Sequence, residues 1–321
     1  MNRHLCEVVA RSYAASKDLG ALCSDIPITD YYTSELFSGN DYYGNAEQLK
    51  RFLHLPSQYP LKLVIQHGNQ YGSFIWDLEA KAEFPVKLAW GSHVEQCWSK
   101  FSNSKIIKIG APFFYTQGLL EQTEVEKEKK RLGKNLLVFP AHSMHHSTVN
   151  YDGQYLLDRL KDVAKNFDSI RVCIYWKDFL LGKHTFYQDA GYECVTAGHI
   201  FDSNFLPRHR SLLEVADASA SNRIGSFLGY SIFLGKPHFY FDQTISVIDS
   251  GPGVVTEEEQ AWRADPGVQR ILKAFTHTGL TITEEQRASL EPYFGFKEVK
   301  TKKQLAGIIH LSEMLYKKIV R

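Results

Sequence analysis

Chemistry-bearing residues gather at a few points in this chain, each just after a short apolar run. His67-Gly68-Asn69 follows LKLVIQ, and His142-Ser143-Met144-His145-His146 follows NLLVFPA. Lys177 follows RVCIYW, His199 follows ECVTAG, Ser221 and Asn222 close VADASA, and Asp242-Gln243 closes HFYF. Runs of this length between turn signals read as buried strands. In an open parallel sheet, ligands collect beyond the carboxyl ends of the strands. Imidazoles titrate near neutrality, and hydroxyls and amides both give and accept hydrogen bonds. Such groups at strand ends suit proton transfer and the binding of phosphate or sugar hydroxyls.

Other chemistries fit less well. His142 and His146 stand four residues apart, but they precede the next helix and have no third ligand close in sequence. H-E-x-x-H and D-x-D are both absent, so we read donors to phosphate or sugar rather than zinc or manganese ligands, and expect no metal. The chain has no G-x-S-x-G and no G-x-G-x-x-G after a strand, which argues against a serine hydrolase and an NAD enzyme.

The stretch 213–243 organises the remainder. It reads as a strand over 215–218, a polar turn, a helix from about Arg223, and a strand over 238–241. Ile224, Phe227, Leu228 and Ile232 share an apolar side of that helix, and Gly235 ends it. A helix N-terminus offers unpaired N–H groups and partial positive charge to a phosphate. Gly225, Ser226 and Gly229 would let a bulky anion come close, although Gly225 and Gly229 equally suit tight packing on a sheet.

The positioning elements alternate. Strands are expected over 61–66, 86–90 and 105–109, with Ser92 capping a helix to about 100. The charged run 121–134 reads as a domain boundary. Beyond it, 135–241 reads β-α-β-α-β-α-β-α-β, the doubly wound pattern. Residues 257–290 look like two surface helices, and a final helix over 302–319 is expected to cross back to the first domain. The fold class is therefore α/β, with two Rossmann-like domains facing a cleft. Residues 1–130 form the first, 131–300 the second, and 301–321 the last helix.

The 321 residues carry 37 Lys plus Arg against 36 Asp plus Glu, which gives no electrostatic case for nucleic acid. Five cysteines without C-x-x-C spacing read as reduced thiols of a cytoplasmic protein. The first residues lack the apolar core of a signal peptide, and no run approaches membrane-spanning length.

SNRIGSFLGYSIFLGKPHFYF resembles the donor-domain segment of bacterial capsule and lipopolysaccharide glycosyltransferases of the GT-B class, and is similar to the matching part of teichoic-acid glycerophosphotransferases. FSGNDYYG, IQHGNQYG, the turn at 90–93 and IGAPFFY resemble the acceptor half, so the likeness covers most of 30–245. The resemblance implies sugar transfer from a nucleotide sugar, a co-substrate rather than a cofactor, to a glycan or lipid-linked acceptor. It also implies work at the cytoplasmic face of the inner membrane. On this reading His67 is the base, with Asp77 and Glu79 as second choices. The donor would meet His142, Ser143, His145, His146, Lys177, His199, Arg210, Ser221, Asn222, Gly225, Ser226, Asp242 and Gln243. A nucleotide-sugar epimerase, a glycerophosphotransferase and a non-catalytic binding subunit share the frame and stay open.

Overall fold

The computed structural model describes residues 17–24, 33–72, 75–144, 147–249, 257–276 and 279–319. A short helix α1 (Leu19–Cys23) and a 3-10 turn (Ser38–Gly44) precede α2 (Asn45–Leu53). Strands β1 (Val64–Ile65), β2 (Val86–Ala89) and β3 (Lys105–Lys108) then form a parallel sheet in chain order. Helices α3 (Asp77–Ala80) and α4 (Ser92–Trp98) make its crossovers. Ser92 is the first helical residue; Gly91 caps α4 without a side-chain bond, because Gly91 lies too close to the Pro292 carbonyl for a side chain.

The charged run is α5 (Gln122–Leu132). A capping box between Glu121 and Glu124 starts it, and its few apolar positions, Val125 and Leu132, pack on Val215. After it come β4 (Asn135–Phe139), β5 (Ser147–Asn150), α6 (Gly153–Ala164), β6 (Ser169–Cys173), α7 (Trp176–Leu180), α8 (His184–Asp189) and β7 (Glu193–Val195). Next are α9 (Phe205–Val215), β8 (Ala218–Ser221), α10 (Ser226–Phe233), β9 (His238–Tyr240) and β10 (Ser246–Asp249). The chain ends in α11 (Glu257–Ala264), α12 (Pro266–Ala274), α13 (Glu284–Phe294) and α14 (Lys302–Ile319).

The second sheet is parallel in the order β7-β6-β4-β8-β9. The chain winds outward from β4 through β6 to β7, then returns to the other side through β8 and β9. The switch point therefore lies between the carboxyl ends of β4 and β8. Every residue of β4 is buried, as a central strand covered on both faces requires. The α/β class and the two parallel sheets agree with the expectation from sequence.

Besides the cap at Gly91, four details differ from it. Val215 finishes α9, so the strand is displaced to Ala218–Ser221, and the following helix starts at Ser226 rather than near Arg223. Gly235 does follow that helix with φ +72. Second, β5 and β10 pair antiparallel within segments that read as loops, with Ser246 opposite Asn150. Third, the region expected to hold two surface helices holds three, and they do not stay at the surface. Val268, Ile271, Leu290, Tyr293 and Phe294 lie in the core shared by both lobes. Fourth, Gly229 packs against the Phe294 ring, where any side chain would collide, so its smallness serves packing rather than a ligand.

The lobes meet through aromatic stacking: Phe113 on Tyr230 and Phe114 on Phe233, each pair 4.0 Å between ring centres. Gly44 (φ +75) lies directly on the Ser203 carbonyl across this seam, a position closed to any residue with a side chain. The last helix does cross back. Leu305 and Ile309 pack with Leu49, Leu61, Ile65, Val86 and Leu88, and Glu313 bonds Tyr59 and Lys62 of the first lobe.

Candidate active site

The loop after β1 carries His67, and the short helix α3 aims Glu79 back at it. The Glu79 carboxylate is buried and takes the His67 Nδ1, the His67 backbone N–H at 2.9 Å and Gln70 Nε2 at 2.9 Å. Holding the proton on Nδ1 leaves the lone pair of Nε2 to accept one. The ring is 12% exposed, with Tyr42 and Trp76 each 5.1 Å from it between ring centres. Beneath, Lys87 donates to the Glu79 and Ala80 carbonyls and so fixes the end of α3; burial pulls its pKa down to about 8. Asp77 is excluded from this cluster: it faces outward, 70% exposed, and pairs with Lys81.

The donor candidates fall into distinct environments. At the switch point, Asn222 accepts from the Ala141 N–H (2.7 Å) and donates to Gln243 (2.8 Å), and so ties the ends of β4, β8 and β9 together. Gln243 in turn donates to the Asp152 carbonyl at 2.6 Å. Ser221 is buried and bonds the Arg223 carbonyl and His238. The Ser143 hydroxyl donates to Asp178 (2.7 Å) and accepts from Lys183 and the Val149 N–H, a closed network that anchors β5. Asp242 is exposed and paired with Arg263. His199 is buried against Trp176. Arg210 pairs with Glu214 and lies over Phe113, and Lys177 lies over Trp176. His145 and His146 lie outside the described residues.

His142 keeps a position from which it can meet a ligand. It is half-buried, bonds the Ser143 carbonyl through Nδ1 at 3.1 Å, and lies 4.3 Å from the Tyr175 ring. Burial lowers its pKa, so the imidazole is neutral. Tyr175 also meets Tyr43, hydroxyl to hydroxyl at 3.2 Å, and Tyr43 stacks toward His67. The order His67, Tyr43, Tyr175, His142 thus joins the first-strand end of one lobe to the first-strand end of the other. A second link crosses nearby. Asn69 donates to the Tyr71 hydroxyl, which donates to the Gly225 carbonyl at 3.3 Å, just before α10 begins.

The fold brings His67, Glu79, His142, Gly225 and the start of α10 to one seam. Sequence reasoning missed Tyr43, Tyr71 and Tyr175 as its lining; the tyrosine-rich FSGNDYYG beside α2 was the available signal. A cavity of about 430 Å³ lies instead at the amino ends of β6 and β7, between Phe167, Arg171 and Tyr192. It is remote from these groups and at the end of the sheet opposite the switch point. Among the described residues, no three His, Cys, Asp or Glu side chains converge as a metal would need.

These features define a two-lobed α/β protein with a histidine–carboxylate pair at the end of the first parallel sheet, linked through tyrosines to the second lobe. No protein-family model matches the chain, and no curated protein does. Among solved structures it is similar to the wall teichoic acid polymerase TagF, at 11% identity and TM-score 0.43, covering 83% of this chain and 70% of that one. It is also similar to a glycosyltransferase from Rickettsia africae ESF-5, at 13% identity and TM-score 0.36, covering 79% and 70%. A third is the alpha,alpha-trehalose 6-phosphate synthase from Burkholderia multivorans, at 10% identity and TM-score 0.34, covering 100% and 84%.

Proposed function

We propose that the chain is a glycosyltransferase that moves a sugar from a nucleotide sugar to a hydroxyl of a glycan or lipid-linked acceptor, without a metal, in surface polysaccharide synthesis. The observation that carries this reading is the His67–Glu79 pair at the end of β1, joined through Tyr71 to the turn that opens α10. The acceptor oxygen attacks the anomeric carbon and gives its proton to His67 Nε2. The bond from that carbon to the phosphate oxygen breaks, and its electron pair leaves with the nucleoside diphosphate. The backbone N–H groups at the start of α10 meet the new charge, with Lys177 as a further donor; neutral His142, its one N–H given to the Ser143 carbonyl, offers Nε2 as an acceptor to a hydroxyl of the donor. The polysaccharide assignment draws on the likeness of SNRIGSFLGYSIFLGKPHFYF to donor segments of that class.

Among the described residues no helix is long and apolar enough to cross a membrane. Contact with the cytoplasmic face of the inner membrane belongs to the proposal, and the exposed Lys302, Lys303, Lys317 and Lys318 of α14 are the groups that would meet anionic lipid.

The test is turnover of a panel of UDP-, GDP-, CMP- and CDP-linked sugars with and without glycan acceptors. Nucleotide release that needs an acceptor is expected, with His67→Asn slowing it by about 10²- to 10⁴-fold. An isomerised donor would mean an epimerase, and tight binding without turnover a binding subunit. Either result sinks the transferase reading.

A further inference from the structure

The turn between β8 and α10 alternates in what it shows to solvent. Ser221, Asn222 and Ile224 are buried, whereas Arg223, Gly225 and Ser226 are half-exposed. The turn is held from beneath. The Ser221 hydroxyl donates to the Arg223 carbonyl at 2.8 Å, and the Asn222 amide ties in the ends of β4 and β9. The half-exposed side chain of Arg223 therefore starts from a fixed point at the carboxyl end of β8.

Its guanidinium lies over the Trp262 ring of α11, 5.3 Å from the ring centre. The next residue of α11, Arg263, donates to the Asp242 carboxylate at 2.7 Å and to the Gln243 carbonyl at 2.6 Å. Those two bonds pin α11, and the Trp262 ring with it, across the end of β9. On the other side is His142, after β4, where burial first and then the charge of Arg223 lower the imidazole pKa. The guanidinium thus stands at the mouth of the switch point, between the ends of β4 and β9. A guanidinium already held on an aromatic face has less freedom to lose on binding, and its N–H fork matches two phosphate oxygens. With five N–H groups it can serve a phosphate beside its other partners.

We propose that Arg223, laid on Trp262, determines donor specificity: its fork takes the second phosphate of the leaving group, so the site uses sugars linked to a nucleoside diphosphate and rejects those linked to a monophosphate. This rests on the reading of the α10 turn as the place where the leaving group sits. The first N–H groups of α10 take one phosphate, and the guanidinium, three residues earlier and separated from them by the extended Gly225, takes the other. A monophosphate fills one of these positions and leaves the other without a partner. Trp262 touches no substrate in this arrangement; it is a positioning residue that holds the guanidinium.

Isothermal titration calorimetry on the full chain tests this with inorganic pyrophosphate against inorganic phosphate, and with UDP, GDP and CDP against UMP, GMP and CMP. Pyrophosphate is expected to bind at least about tenfold tighter than phosphate, and the preferred nucleoside diphosphate at least about tenfold tighter than its monophosphate. Arg223→Met should weaken the diphosphates by about 10- to 100-fold, the scale of hydrogen bonds to a charged group, and bring them level with the monophosphates. Arg223→Lys should recover only part of that loss, because an ammonium carries the charge without the fork. Trp262→Leu should weaken pyrophosphate by about three- to tenfold when Arg223 is present and by nothing further in Arg223→Met, a coupling that a merely structural role would not produce. If Trp262→Leu fails to fold, the Arg223 variants, at a half-exposed position, still decide. No binding of pyrophosphate, equal affinity for pyrophosphate and phosphate, an Arg223→Met protein that binds as the parent does, or full rescue by Arg223→Lys overturns the proposal. So does a Trp262→Leu loss of equal size in both backgrounds. None of these measurements needs an acceptor. Transfer in the nucleotide-sugar panel that Arg223→Met leaves intact would sink this assignment alone, and diphosphate binding that Arg223→Met abolishes, without transfer in the panel, would sink the transferase reading alone.

Discussion

Two carboxylates close together in the sequence have opposite fates, and that contrast is the sharpest test at the residue scale. On α3, Asp77 and Glu79 point to different sides; Glu79 holds His67 in one tautomer, while Asp77 holds only the exposed Lys81. Glu79→Gln presents an amide where the Nδ1–H and the backbone N–H of His67 both need an acceptor. Turnover should fall by about 10²- to 10⁴-fold and stability by about 1–3 kcal/mol. Asp77→Asn should leave turnover intact and move stability by less than about 0.5 kcal/mol. Steady-state rates beside urea titrations would read both, and equal losses in the two variants would remove Glu79 from its role. The sequence pointed to His67 because it stands at a strand end, but not to its pairing with Glu79 twelve positions on. A four-residue helix gives no periodicity to say which carboxylate turns inward; it is Lys87 of β2, bonding the Glu79 and Ala80 carbonyls, and Ala80 packed with Ala89 that fix its end on the sheet.

Among the elements, α10 shows what periodicity conveys and what it misses. Its apolar side and its closing Gly235 are legible in the sequence, but the helix begins three residues after Arg223, because Ile224 fits the apolar pattern while Gly225 is still extended. The bounds of α2 and α14 were readable because each buries one clear stripe. The ribbon of β5 and β10 is not, since its two four-residue strands lie far apart in the chain, Ser147–Asn150 against Ser246–Asp249, and neither has a local partner to mark it. Gly229 argues the same point energetically. It was open to a ligand reading, yet α13 lays Phe294 directly on it. Gly229→Ala is expected to cost about 1–3 kcal/mol by overpacking, despite alanine's better helix propensity. Phe294→Leu in the same chain should recover part of that loss. A Gly229→Ala protein as stable as the parent in urea would mean that α13 does not pack there.

At the scale of the whole molecule, the seam between the lobes carries a titratable group with no polar counterpart among the described residues. His209 of α9 is buried among the rings of Phe113, Phe139, Phe205 and Tyr230, and neither ring nitrogen has a hydrogen-bond partner among the described residues. Burial pushes its pKa down to about 3. The unfolded chain returns it to about 6.5, so below that pH the unfolded state binds the extra proton. The neutral imidazole therefore leaves stability at its full value above about pH 6.5. As pH falls from there toward 3, stability is lost, at up to about 1.4 kcal/mol per pH unit. His238 is lowered to about 3 by the same desolvation and adds a loss of the same sign, as do carboxylates such as Glu128 held below their ordinary range by Arg131. The contribution of His209 is isolated by substitution: His209→Phe keeps an aromatic ring in the cage and cannot bind a proton. Urea titrations between pH 4 and 7 should show the two proteins diverging steadily as pH falls, with the phenylalanine variant the more resistant. Parallel curves over that whole range would mean that His209 has a polar partner or water access, and that the seam between the lobes is not the dry aromatic contact described above.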